Sequence, residues 1–227
     1  MTEQFRRFKT GYWEFYLELE DRVQETRRFV EFDESNHKTY SSNYLMLFQN
    51  ICSEIDVVGK EIAAHFNPDF ESENGTKPIN RWWYEIQDNL PEVIREISFA
   101  SAYSVHPWKN YRVIRVTSQQ NRNGRLVDVT NYNLQDNTFA TPKWWTAYNK
   151  VKHKRLMSDD EGVNYKKANL LNLSNAIAAL YLLEFEYMKK IGTLDELGEC
   201  GESTLFGMGD LGDRLVNSWF DGDGPLC

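Results

Sequence analysis

The chain of 227 residues is long enough for one substantial hydrophobic core or at most two small domains, and we expect a single domain. Hydrophobic residues make up 41% of it, yet no apolar run approaches the roughly 18 residues of a membrane-spanning helix, so we expect no membrane segment. The net charge of −8 argues at first against a nucleic-acid partner.

The charge is unevenly distributed along the chain. Residues 195–227 hold eight acidic residues and one basic residue, and so carry −7 of the net charge of −8. The remainder is close to neutral, and residues 143–167 hold seven basic residues against three acidic ones. Such a basic segment favours attraction of a phosphate backbone, although a solvated lysine face is the alternative. The same charge split suggests the hypothesis that the acidic tail folds back over the basic segment.

Cysteine usage and the first residues of the chain bear on its compartment. The N-terminal residues are charged throughout and lack the apolar core of a signal peptide. The cysteines Cys52, Cys200 and Cys227 are odd in number and widely spaced. We therefore expect a cytoplasmic protein with reduced thiols. The four histidines do not have the spacing of zinc ligands, so the sequence predicts neither a metal site nor a cofactor.

Apolar periodicity predicts a mainly α protein. Residues 3–31, 43–66 and 163–191 each repeat apolar side chains at spacings of three and four, as amphipathic helices do. The third of these helices is the most apolar, so we expect it to lie centrally. A short helix around Trp82 and Trp83, which we expect to be packing residues, is followed by another predicted helical segment at Val93–Ile97.

A β-hairpin interrupts this helical pattern. The β-like runs Val113–Thr117 and Leu126–Thr130 flank the segment Asn121–Gly124, whose Asn-Gly pair is a strong turn signal. We expect the hairpin, at about residues 111–132, to be an insertion in a helical domain of residues 1–194. The acidic, glycine-rich residues 195–227 are predicted to form a loosely ordered tail.

A further helix is predicted to begin at Thr141 as the N-cap, with Pro142 in its first turn. A helical wheel places Lys152 and Arg155 inside the apolar arc of this helix, and buried cations need partners. Carboxylates of the preceding long helix are the candidate partners, namely Glu54, Asp56 and Glu61. The arc itself consists of Trp144, Trp145, Tyr148, Val151 and Leu156, while Asn149 and His153 lie one turn apart at its edge.

The segment Trp144-Trp145-x-x-Tyr148-Asn149-x-Val151-Lys152-His153-x-Arg155, followed by Ala168-Asn169-Leu170 and the apolar helix, resembles the HEPN superfamily. More closely, it is similar to an uncharacterised bacterial branch with this signature. The resemblance implies an up-and-down helical bundle that is frequently a homodimer. Active members are metal-independent endoribonucleases of prokaryotic toxin and antiviral systems, in which an arginine, a short spacer and a histidine form a composite site across the dimer.

This resemblance maps the histidine of the family to His153, which would act as general acid or base when a ribose 2′-hydroxyl attacks the adjacent phosphate. Asn149 would orient the imidazole or bind phosphate. Lys152, Arg155 and Lys150 would bind the substrate and offset its charge. The positions that the arginine occupies in the family hold Tyr148, Ala147 or Thr146 here.

Two interpretations of function follow from this departure. The first is an RNA-related role, either RNA binding or metal-independent cleavage of RNA. The second is a non-catalytic interaction module that binds a protein or a nucleotide. In the second case Lys152 and Arg155 pair with acidic residues of their own chain, and His153 fixes the register of its helix.

Overall fold

The computed structural model describes residues 1–73, 75–122 and 125–206. The protein is mainly α, as predicted, with small two-stranded antiparallel sheets. The α-helices are α1 Glu3–Phe8, α2 Glu14–Glu25, α3 Ser42–Phe66, α4 Ile79–Ile86, α5 Lys143–Lys154, α6 Leu170–Ile191 and α7 Leu194–Gly198. A π-helical turn, Lys9–Trp13, joins α1 to α2, and 3-10 turns cover Thr26–Arg28, Glu34–Asn36, Pro91–Ile94 and Asn164–Lys167.

The strands are β1 Ile97–Phe99, β2 Tyr103–Val105, β3 Val113–Arg122, β4 Arg125–Leu134, β5 Ser158–Asp159 and β6 Gly162–Val163. The strands form separate antiparallel hairpins, β1 with β2, β3 with β4 and β5 with β6. The predicted hairpin is therefore present and has strands of ten residues each. Its predicted Asn-Gly turn lies outside the described residues.

The predicted helical segment at Val93–Ile97 is wrong. The chain forms only a 3-10 turn over Pro91–Ile94, and Ile97 opens strand β1. Phe99 and Val105 of the β1–β2 hairpin are buried, so this hairpin covers part of the core. Three apolar residues are too few for periodicity alone to distinguish a helix from a turn followed by a short strand.

Helices α3 and α6 run in the same direction. They begin together, because Tyr40 and Asn169 form a β-bridge just before the two helices start. They also end together, since the rings of His65 and Tyr187 lie 5.4 Å apart.

The other long helical segments run the opposite way. Phe8 contacts Tyr187 near the end of α6, and Trp13, further along the chain, contacts Tyr181, which precedes Tyr187 in α6. The α1–α2 segment is therefore antiparallel to α6. The β5–β6 hairpin and a 3-10 turn reverse the chain between α5 and α6. Successive long segments, α1–α2, α3, α5 and α6, thus alternate in direction.

Helix α6 occupies the centre, as its composition predicted. Every residue from Ala176 to Met188 is buried. Within the described ranges, no helix combines the length and the apolarity needed to cross a bilayer. Cys52 and Cys200 are free thiols inside the core, and Cys227 lies outside the described residues.

The first part of the predicted tail packs against the body of the protein. Residues 194–198 form α7, and Leu205 is buried. The carboxylate of Glu20, itself buried, accepts hydrogen bonds from the backbone N–H groups of Thr204 at 2.9 Å and Leu205 at 3.1 Å. This packing differs from the predicted loose tail over residues 195–206. Residues 207–227, and the hypothesis that they cover the basic segment, lie outside the described part of the chain.

A tryptophan cluster fixes α5 to the rest of the bundle. The rings of Trp83 and Trp108 stack with centroids 4.3 Å apart, and Trp144 meets Trp108 edge-on at 5.2 Å. Trp82 and Trp145 are also edge-to-face, at 6.4 Å. All five rings are buried, so the paired tryptophans of α4 and α5 are core residues.

Gly59 allows this cluster to approach α3. A Cβ atom at Gly59 would lie 2.7 Å from the Trp82 ring, which is fully buried and has no room to shift. We expect Gly59→Ala to lower the free energy of unfolding by roughly 1–3 kcal/mol through overpacking. Urea unfolding followed by tryptophan fluorescence measures this change.

Gly198 provides the matched control, since it also lies in a helix but a Cβ there would meet nothing within 4 Å. We expect Gly198→Ala to leave stability unchanged or slightly increased. Equal stability of the Gly59→Ala protein and the unmodified protein would contradict the role assigned to Gly59.

Candidate nucleic-acid interface

Helix α5 starts one residue later than predicted. Pro142 rather than Thr141 is its N-cap, and no side chain caps the helix there. Tyr148 and Val151 face the core as the wheel predicted, and Tyr148 meets Phe48 of α3 edge-on. Trp144 donates from Nε1 to the carbonyl oxygen of Pro107 at 2.8 Å. The N-terminal two thirds of α5 are therefore held by aromatic packing.

The end of α5 leaves the core, and there the wheel prediction is wrong. Lys152 and Arg155 are exposed rather than buried, and Leu156 is 84% exposed. The helix ends at Lys154, so the residues after it no longer follow the helical wheel. Lys152 lies within the helix, but the core does not extend to this end of α5, so the Lys152 side chain is also exposed to solvent.

The predicted ion pairs with α3 carboxylates do not form among the described residues. The Lys152 amine lies 5.3 Å from the centroid of the Tyr148 ring. Arg155 donates from Nη2 to the amide oxygen of Gln49 at 3.1 Å. Asp56 pairs instead with Lys60 in its own helix. Both cations of α5 therefore keep their charge available at the surface.

His153 and Asn149 lie one turn apart on the exposed face of α5. Asn149 donates from Nδ2 to the carbonyl oxygen of Trp145 at 3.2 Å, within its own helix, and not to the imidazole. His153 has no hydrogen bond, ion pair or ring contact with any described residue. A single copy of the chain thus presents an accessible imidazole that no neighbour orients.

Lys150 differs from the other predicted phosphate-binding cations. Its amine pairs with Asp159 at 2.6 Å, and the same carboxylate accepts from Lys167 at 3.0 Å. These hydrogen bonds, first from Lys150 and then from Lys167, hold the pKa of Asp159 well below its usual value. The β5–β6 hairpin therefore neutralises Lys150 and leaves Lys152, Lys154 and Arg155 as the unpaired cations of this end of α5.

We call residues 152–155 the basic end of α5. Its four consecutive basic side chains are exposed, and none forms an ion pair with a described carboxylate. Cations near a helix C-terminus also interact favourably with the helix dipole, which is the structural alternative to a binding role. Among the described residues, no group of three or more His, Cys, Asp and Glu side chains is placed to hold a metal ion.

A buried carboxyl group that the sequence interpretation missed lies in α6. Glu184 is fully buried, and neither of its carboxyl oxygens has a hydrogen-bond partner. Burial raises the pKa of Glu184 well above its usual value, and the nearby Glu54 carboxylate raises it further. The charged form of Glu184 is therefore disfavoured in the folded protein. An acidic residue within the apolar run of α6 was the signal that could have indicated it.

In comparisons with known proteins, no family model, curated protein or solved structure matches this chain. The HEPN resemblance therefore stays a prediction that depends on the residues of α5 and α6.

The raised pKa of Glu184 predicts a pH dependence of stability. Between the unfolded-state pKa, about 4.3, and the higher folded-state pKa, only the unfolded chain has lost the proton. The free energy of unfolding therefore falls as pH rises, by up to about 1.4 kcal/mol per pH unit from this group. We expect Glu184→Gln to remove this slope and to be the more stable protein at pH 7.5, as measured by urea unfolding from pH 5 to 8.

Glu186→Gln is the control on the same helix. Glu186 is paired with Arg95 and Lys189, so its replacement should lower stability and leave the pH slope in place. A Glu184→Gln protein with the same pH slope as the unmodified protein would show that Glu184 is not the group responsible.

Proposed function

We propose that this protein binds single-stranded RNA through the basic end of α5, on a HEPN-like helical scaffold. The observation that carries the proposal is the run of exposed, unpaired basic side chains at residues 152–155. A phosphate backbone is the partner that such a run attracts most generally, through neutralisation and counterion release. The signature of α5 and the alternating direction of the long helical segments support the scaffold part of the proposal.

The proposal includes RNA cleavage, as an activity that a homodimer would have. His153 is accessible, and an imidazole is the side chain used most often as a general acid or base. One copy supplies no second acid–base group or orienting partner to His153 among the described residues. A second copy would have to provide them, as the family resemblance implies. Light scattering of the purified protein tests the dimer directly.

The binding test replaces Lys152 and Arg155 together by Gln. We expect weaker binding to a fluorescent single-stranded RNA. The slope of log affinity against log salt concentration should also become shallower by about 1.4, since each lost phosphate contact reduces this slope by about 0.7. Fluorescence anisotropy over a salt series measures both quantities.

Lys190→Gln is the control for the loss of charge. Lys190 is exposed and lies at the far end of α6, about 30 Å away at the helical rise of about 1.5 Å per residue. We expect its replacement to leave RNA affinity unchanged. If the double variant loses only thermal stability and binds RNA normally, its cations serve the helix dipole and the proposal fails.

Asp159→Asn should have the opposite effect. The variant removes the carboxylate that neutralises Lys150, while the Asn side-chain oxygen can still accept from the backbone N–H of Glu161. Lys167 keeps its ion pair with Glu161 at 2.6 Å, so we expect RNA affinity to rise and the salt dependence to steepen by about 0.7 for the release of Lys150 alone. An unchanged affinity would show that Lys150 does not lie on the RNA path.

Cleavage is tested by incubating the protein with total RNA, with and without His153→Ala. Loss of cleavage in the variant identifies His153 as an acid–base group, and RNA binding without cleavage in both proteins leaves the binding function alone. A protein that neither binds nor cleaves RNA favours the non-catalytic interaction module.

A further inference from the structure

A groove of about 800 Å³ lies at the base of the β3–β4 hairpin, where the loop before α4 meets the two strands. This volume is within the range of small-molecule sites. The groove is separate from the basic end of α5. Arg155 contacts Gln49, in the first half of α3, whereas the groove lies beside Phe70, beyond the end of that helix. The residues from Gln49 to Phe66 alone span about 25 Å of helix.

The wall of the groove is rigid because Arg81 is fixed on every side. Its guanidinium group lies between the rings of Phe70 and Tyr132, 4.6 Å from each centroid. Glu73 accepts two hydrogen bonds from it, at 2.7 and 2.6 Å, and Glu85 accepts a third at 2.6 Å. Arg81 is only 3% exposed. Such a wall is formed before any ligand arrives, which lowers the entropic cost of binding.

The groove carries a surplus of positive charge at one end. Glu73 and Glu85 neutralise Arg81, but Lys77 and Arg115, which also line the groove, form no ion pair with a described residue. The Lys77 amine donates only to the carbonyl oxygen of Glu73, at 3.3 Å. Hydrogen bonds from Arg81 lower the pKa of Glu73 most, and the charges of Arg115 and Lys77 lower it further. Two cations without a described carboxylate partner, Lys77 and Arg115, therefore lie at this end.

The other end of the groove is neutral or acidic. Thr130 and Asp128, on the same face of β4 as Tyr132, contribute a hydroxyl group and a carboxylate. Arg115 pairs with Tyr132 across the hairpin, four residues along β4 from Asp128. At about 3.3 Å per residue the cationic and acidic ends are about 13 Å apart. That separation is close to the span of a nucleoside monophosphate from its phosphate to the edge of its base.

We propose that this groove binds a nucleotide, with the phosphate at Lys77 and Arg115 and the ribose and base along β4 toward Asp128. Two unpaired cations match the charge of a phosphate group. The Thr130 hydroxyl offers both a donor and an acceptor to a base, and a carboxylate accepts from ribose hydroxyls or exocyclic amino groups. A fatty or purely apolar ligand is disfavoured because it would desolvate these polar groups without pairing them. The proposal does not depend on RNA binding at α5.

The same chemistry is offered by a free nucleotide and by one nucleotide of an RNA strand, and a titration distinguishes them. Isothermal titration with AMP, GMP, CMP, UMP, inorganic phosphate and a single-stranded hexanucleotide is performed on the full chain. We expect at least one nucleotide to bind, and Arg115→Gln or Lys77→Gln to weaken it about tenfold, as expected for the loss of one charged hydrogen bond.

Arg125→Gln is the matched control, because Arg125 lies on the same hairpin, is exposed and does not line the groove. The Arg125→Gln variant should bind nucleotides with the same affinity as the unmodified protein. The double variant at Lys152 and Arg155 should also bind mononucleotides with unchanged affinity. Binding of the hexanucleotide alone, weakened by Arg115→Gln, supports the groove and identifies an RNA strand as the source.

Three results would overturn the proposal. The first is no heat of binding with any of these ligands at millimolar concentration. The second is equal affinity for inorganic phosphate and for the nucleotides, which would mean that the base and ribose make no contact. The third is binding that Arg115→Gln and Lys77→Gln leave unchanged. Thermal denaturation of each variant confirms that it is folded before titration.

Discussion

The burial of α6 from Ala176 to Met188 is the constraint on which the remainder of this fold depends. A helix whose side chains are apolar around most of its circumference must be covered on all sides, and no single neighbour can do so. Helix α3 lies parallel to it, the α1–α2 segment and α5 run the other way, and the β1–β2 hairpin and α7 close the gaps. The packing of residues 203–206 on Glu20 follows from the same need, because Phe206 meets Tyr181 of α6.

This constraint also explains why Glu184 is unusual. A carboxyl group at a position that must face the core has no solvent to hydrate it, and its oxygens have no donor. Retaining such a group costs stability, since a buried polar group without a partner is unfavourable and an apolar residue of similar size would fit better. The nearby carboxylate of Glu54 makes ionisation of Glu184 still less favourable.

The polar features with functional potential lie at the two ends of α3. At one end the basic end of α5 projects past the core beside Gln49, and at the other the hairpin groove opens beside Phe70. The tryptophan cluster lies between them and holds α4 and α5 against α3. Because that cluster fixes both helices, the two surfaces have defined positions within one core although they share no residue.

The amino-acid sequence by itself determined the helices, the central place of α6, the hairpin and the buried face of α5, because periodic apolar residues encode which side of an element meets a core. It could not determine where that core ends. The wheel therefore placed Lys152 and Arg155 inside, whereas the end of α5 lies beyond the packed aromatic residues and keeps both cations in solvent. The tertiary structure alone decided that Asp159 neutralises Lys150, that Glu20 anchors the chain beyond residue 203, and that Lys77 and Arg115 face one groove. The spatial distance between the residues of each contact depends on how the chain reverses direction between them. Local sequence patterns do not predict that distance.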